Sequence, residues 1–130
     1  MTGTPTRNGL VCYLFYDDVV PMLEWYARVF GWVERKRWIE DGAVRNAEML
    51  VGDTELWLDG GGAATLEHMG TKHPVWTGVW VEDVDATYDQ IRAAGEDVDA
   101  PEDKPYGVRM LNVTDPAGYQ WGFMTRLETS

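Results

Sequence analysis

The side chains of this chain with chemistry to offer are mainly flat rings and carboxylates. Seven tryptophans in 130 residues exceed what core filling alone asks for. Indole faces bind planar or cationic molecules, and each ring carries an N–H that wants a partner when buried. Asp17, Glu55, Asp59 and Glu82 could do acid–base work if burial moved one of them towards neutral pH. Thiols and imidazoles, the usual nucleophile and soft or borderline metal ligands, are scarce. Cys12, the single cysteine, sits in a strand-like run and reads as a small buried hydrophobe. His68 and His73 fall in a stretch without periodicity and are expected in solvent. Gly60-Gly61-Gly62 lacks the following Lys-Ser/Thr and the helix start of a phosphate cradle, so it reads as linker.

The elements that position these groups occur twice. Tyr13-Leu14-Phe15-Tyr16-Asp17-Asp18-Val19 runs into a helical stripe of Met22, Tyr26, Val29 and Phe30 that stops at Gly31. Gly78-Val79-Trp80-Val81-Glu82-Asp83-Val84 runs into another, Val84, Tyr88, Ile91 and Ala94, stopping at Gly95. An aspartate caps each helix (Asp17 or Asp18, then Asp83 or Asp85), Pro21 suits a first turn, and each glycine suits a left-handed end. Three strands follow each helix: 32–39, 44–51 and 54–58 in the first copy, and 97–100, 107–114 and 119–125 in the second. The predicted modules are 9–60 and 75–126, joined by a linker over 61–74. At this length both must belong to one domain.

Alternation assigns two faces. Tyr13, Phe15, Glu55, Trp57, Asp59, Trp76, Gly78, Trp80, Gln120, Gly122 and Met124 share one; Leu14, Leu56, Leu58, Val79, Val81, Trp121 and Phe123 share the other. The second set is a plain core facing the helices. The parity of Arg109 and Asn112 is ambiguous, with a surface salt bridge expected of Arg109. Arg35-Lys36-Arg37 is expected on a solvated edge, and Glu24 with Arg28 forms an i,i+4 pair.

A formal net charge of −11 argues against nucleic acid and anionic membranes as partners, since phosphate binding needs a basic face. The same charge favours a cationic ligand. No apolar run is long enough to span a bilayer. The first eight residues contain no apolar signal segment, and no disulfide framework exists, so the cytoplasm is the expected compartment.

The repeated β-α-β-β-β order, the Asp18-Val19 and Asp83-Val84-Asp85-Ala86 helix starts, and the closing Asp115-Pro116-Ala117-Gly118-Tyr119-Gln120-Trp121-Gly122 resemble the vicinal oxygen chelate superfamily. That family includes glyoxalase I, extradiol dioxygenases and the fosfomycin and bleomycin resistance proteins. The resemblance implies an α+β fold of two βαβββ modules forming a cup, and a homodimer. It also implies metal ligands about seven residues before each helix-start aspartate and on the fourth strand of each module. Here those positions hold Val11, Trp76, Trp57 and Gly122, leaving Glu55 as the one candidate donor where a catalytic ion wants about three. We therefore expect no metal and no cofactor.

The expected activity is sequestration of a planar aromatic, cationic small molecule such as an antibiotic, giving resistance. Its wall would comprise Tyr13, Phe15, Glu55, Trp57, Trp76, Trp80, Met110, Gln120 and Gly122, with Gly78 and Gly122 leaving room. The alternative is a small-molecule enzyme of the glyoxalase or dioxygenase type, using Glu55, Tyr13 or Asp59 as acid or base, or a metal held by other ligands.

Overall fold

A computed structural model describes residues 11–61 and 75–127; His68 and His73 lie outside them. The described residues divide into two compact units, 11–23 with 32–61, and 24–31 with 75–127.

In the first unit, β1 (Cys12–Phe15) leads through Asp18 into α1, which begins at Val19. Asp18 Oδ1 accepts the Val20 N–H at 3.3 Å, satisfying one of the donors a helix start leaves open. The strands β2 (Val33–Glu40), β3 (Ala43–Val51) and β4 (Thr54–Asp59) complete a sheet of order β1-β4-β3-β2. β1 runs parallel to β4 with Tyr13 opposite Trp57 and Phe15 opposite Asp59. Leu14, Ala47, Met49, Leu56 and Leu58 are buried on one face, each leucine contributing roughly 1.5–3 kcal/mol of transfer free energy. β2 is at one edge of this sheet, exposed throughout and interrupted by register shifts at Glu34/Lys36 and Trp38/Ile39, irregularities of the kind that discourage edge-to-edge pairing.

α1 (Val19–Trp25) continues into a π-helical turn, Tyr26–Phe30. Gly31 closes it at φ 75°, donating its N–H to the Tyr26 carbonyl, a left-handed position that costs glycine nothing. The segment 24–31 counts with the second unit because of its rings. Tyr26 meets Trp121 edge-on at 5.7 Å and 80°, and Phe30 meets Phe123 at 4.9 Å and 66°.

The second sheet repeats the first: β5 (Trp76–Trp80), β6 (Glu102–Asp103), β7 (Val108–Thr114) and β8 (Gln120–Arg126), in the order β5-β8-β7-β6. Here β5 is parallel to β8, and Gly78 stands opposite Gly122. α2 (Val84–Ala93) is capped by Asp83, whose Oδ1 accepts from Asp85 N at 3.0 Å and Ala86 N at 3.3 Å. Its buried residues are Val84 and Ile91.

Two sequence expectations are corrected. The short strand expected at 97–100 lies at Glu102–Asp103, paired with Met110 and Arg109; buried Pro101, with no N–H to give a ladder, stands directly before it, a place where strands tolerate proline. Arg28 does not pair with Glu24 but donates to the Ala94 carbonyl at 2.9 Å, where a cation offsets the negative end of α2.

Candidate ligand-binding faces

The face of each sheet opposite its buried core carries the wall residues expected from alternation.

On the first sheet, Tyr13 and Trp57 are opposed across β1 and β4, edge to face at 6.0 Å and 78°. Phe15 tilts against Tyr13 at 5.0 Å. The polar groups between these rings form a connected set. Tyr13 Oη donates to Asp59 Oδ2 at 3.1 Å and accepts from Asn46 Nδ2 at 2.8 Å. Burial first, then the hydrogen bond to Asp59 and that carboxylate's charge, raise the Tyr13 phenol above its ordinary value, while the Asn46 donor acts the other way. Neighbouring negative charge and lost water both disfavour a phenolate.

Glu55 is not a vacant ligand. Its Oε1 accepts from Arg35 Nη1 at 2.8 Å and from Trp57 Nε1 at 3.1 Å, and Arg35 also reaches Glu48 at 3.2 Å. Arg35 therefore belongs to the polar network of this face and not to a merely solvated edge. The expectation of a solvated edge missed it because Glu48 and Glu55 come from β3 and β4, and β2 is irregular between Glu34 and Lys36. Arg37 fits the surface expectation, pairing with Glu34. A groove of about 410 Å³ lies between β2 and β3, lined by Lys36, Trp38, Arg45, Asn46, Ala47 and Glu48; no sequence signal pointed to it.

On the second sheet, the space expected above Gly78 and Gly122 is filled by the chain itself. A Cβ placed on Gly122 would collide with the six-membered ring of Trp76, and one on Gly78 would stand 3.1 Å from Trp76 Cη2 and 2.7 Å from Met124 Cε. The indole thus lies over the glycine rung, and its Nε1 donates to Asn112 Oδ1 at 3.2 Å. The residue remains 46% exposed. Asn112, opposite Gly122, is on this face; Arg109 is committed to Asp85 at 3.0 Å and Asp103 at 2.9 Å, the surface salt bridge expected of it. Trp80 is 53% exposed with the Arg126 guanidinium 4.3 Å from its ring centre. Met110 pairs with Met124 and is buried, so it offers a ligand little surface. Gln120, opposite Trp76, is exposed.

Among the described residues no group of three or more His, Cys, Asp or Glu side chains is gathered as a metal ion would require. Val11 is exposed beside β1, and Trp57, Trp76 and Gly122 offer no donor suited to a divalent ion. No helix among the described residues is long and apolar enough to cross a membrane.

Two four-stranded mixed sheets, each built as βαβββ, define a small duplicated α+β class. The chain belongs to the Glyoxalase/Bleomycin resistance protein/Dioxygenase superfamily, whose family model matches residues 10–123. It is similar to TioX from Micromonospora sp. ML1, at 28% identity over 93% of this chain and 100% of the other, with a TM-score of 0.74. A bleomycin-binding protein in complex with bleomycin matches at 17% identity, 92% and 99% coverage and a TM-score of 0.69. Lactoylglutathione lyase from Agrobacterium tumefaciens matches at 18%, 94% and 96%, also with a TM-score of 0.69. None of the curated protein sequences matches.

Proposed function

We propose that this protein binds and sequesters a planar aromatic small molecule, such as an antibiotic, without a metal. The observation that carries the reading is Trp76, an indole bedded on the Gly78–Gly122 rung, tethered through its N–H and still half-exposed. A ring fixed in place before binding loses little entropy when a ligand stacks on it. One stack contributes about 0.5–1.5 kcal/mol beyond area burial; Trp80 offers further ring surface on the same sheet, and Tyr13, Phe15 and Trp57 form a separate ring face on the first sheet. A bound drug is withdrawn from its target, so no bond need break. The reading includes a homodimer in the cytoplasm; exposed Val33 and Ile39 on the β2 edge supply apolar surface for a second copy, and the mass in solution tests it.

The cationic ligand suggested by net charge draws little support from these faces. Glu48 and Glu55 are engaged by Arg35, and Asp59 accepts from Tyr13 and the Gly61 N–H. The enzyme alternative draws less still. Glu55 is held by a guanidinium and an indole N–H, and Tyr13 has its phenol raised, away from the neutral range where acid–base catalysis works best.

Tryptophan fluorescence titration against a panel of aromatic antibiotics and intercalators tests the proposal. Saturable quenching that weakens about three- to tenfold in Trp76→Ala is expected from the loss of one stack. Absence of quenching across the panel, or turnover of a bound compound, would reject it.

A further inference from the structure

The cations of this protein are placed unexpectedly for a chain with 22 acidic and 11 basic side chains. Among the described residues most lysines and arginines ion-pair with carboxylates, and Arg28 donates to a carbonyl. Lys36, Arg45 and Arg126 meet no carboxylate among those residues. Two of the three stand at exposed indoles: Lys36 Nζ is 6.0 Å from the Trp38 ring centre, and the Arg126 guanidinium is 4.3 Å from that of Trp80. Lys36 and Arg45 both line the 410 Å³ groove.

This placement bears on ligand charge. An indole face that already holds an internal cation has its negative quadrupole occupied, and a second cation arriving there is repelled. Along the parallel pair β5 and β8, Arg126 is the only charged side chain, so nothing on those strands balances a ligand cation. An anion would find a guanidinium, a group with planar donors suited to a carboxylate. The long-range repulsion of a net −11 chain is screened within about 8–10 Å at physiological salt, which leaves the local cation to decide.

We propose that the second sheet recognises an aromatic acid: a planar ring system that stacks on Trp76 and carries a carboxylate or similar anion to Arg126. This inference rests on the planar-ligand reading above and fixes the sign of the ligand's charge. The geometry suits a compact molecule. The Trp76 indole covers the Gly78–Gly122 rung, and the Trp80–Met124 rung beneath Arg126 is two residues further along β5, about 7 Å away at the usual strand rise. A two-ring acid spans that interval. The Lys36–Trp38–Arg45 groove of the first unit repeats the pairing of an exposed indole with cations that meet no carboxylate among the described residues, and makes a second station for the same chemistry.

Three probes of one shape separate the possibilities: 2-naphthoate, 2-naphthamide and 2-naphthylmethylammonium, titrated calorimetrically into the full chain. Binding of naphthoate at least tenfold tighter than the ammonium probe is expected. Arg126→Gln should bring the probes to within about twofold of each other at this station, with Arg126→Lys restoring part of the preference and an unchanged melting temperature reporting intact folding. Residual preference removed by Lys36→Gln with Arg45→Gln would assign the second station. Equal binding of the three probes, or tighter binding of the ammonium, would overturn the charge assignment while leaving a planar ligand standing. Failure of all three, with the antibiotic panel also silent, would remove the planar-ligand reading and this inference together.

Discussion

Tyr26 Oη donates to Asp115 Oδ2 at 2.5 Å, joining the π-helical turn to the β7–β8 hairpin across 89 residues of sequence. Asp115 is 4% exposed and accepts three more hydrogen bonds, from Trp121 Nε1 at 2.8 Å, Ala117 N at 2.9 Å and Tyr119 N at 3.0 Å. One carboxylate therefore shapes the hairpin and anchors both the turn of 24–31 and the largest core ring. Its role is structural: the donors that reach it are two buried side chains, Tyr26 and Trp121, and the backbone of its own hairpin turn.

Removing this acceptor should be expensive. Asp115→Ala leaves Tyr26 and Trp121 with buried donors and opens the turn, so a loss of about 3–5 kcal/mol is expected. Tyr26→Phe, which deletes a single donor, should cost about 1.5–3 kcal/mol. Urea denaturation measures both; an Asp115→Ala change under about 1 kcal/mol, the worth of one ordinary hydrogen bond, would show that the hairpin holds without it.

The glycine rung gives a second expectation. Gly122→Ala drives a methyl into the Trp76 ring, so the indole must lift away, with a cost of about 1–3 kcal/mol and a red shift in fluorescence. Gly78→Ala should be milder, because the nearest atom is the flexible end of Met124. Combining Gly122→Ala with Trp76→Ala should relieve most of the penalty, a coupling that a double-mutant cycle reads directly. Additive effects would place the indole elsewhere.

Tyr13 should ionise late. Its phenol lies above the ordinary 10.0, with burial the largest cause and Asp59 next. The folded state therefore holds this proton more tightly than the unfolded chain does. Its contribution to stability is complete below the unfolded value and is lost as pH rises through the folded one. The tyrosinate absorbance difference between wild type and Tyr13→Phe follows this group alone. Asp59→Asn should lower the transition part of the way, since burial remains; no change on that substitution would mean that the carboxylate does not reach the phenol.

Metal should be irrelevant to stability. A bound ion at a hundred times its Kd would add about 2.7 kcal/mol and raise Tm visibly. Dialysis against chelator, followed by zinc, nickel, iron or manganese, is expected to leave the thermal transition in place. A metal-dependent rise, or near one equivalent by elemental analysis, would reverse the assignment.

Much of the architecture was legible before any coordinates. Period-two alternation sorted Tyr13, Trp57, Trp76 and Trp80 from Leu14, Leu56, Trp121 and Phe123 correctly, because a half-buried strand must show one face to the core and a slip of one residue would invert every side chain. The aspartates at 18 and 83 and the glycine at 31 marked their helix ends for equally local reasons.

What the strands alone could not decide is where side chains go after they leave the backbone. Gly78 and Gly122 looked like open volume, yet the volume belongs to Trp76, whose rotamer depends on Asn112 from a third strand. Arg35 took a different role because Glu48 and Glu55 reach it from β3 and β4, and the short strand paired at Glu102–Asp103 instead of 97–100. Local sequence determined the elements, their caps and their faces, since these follow from backbone geometry and short-range periodicity. Tertiary structure decided which cations lie against indole faces and which indole is held flat, because those outcomes depend on pairings between residues brought together by the fold.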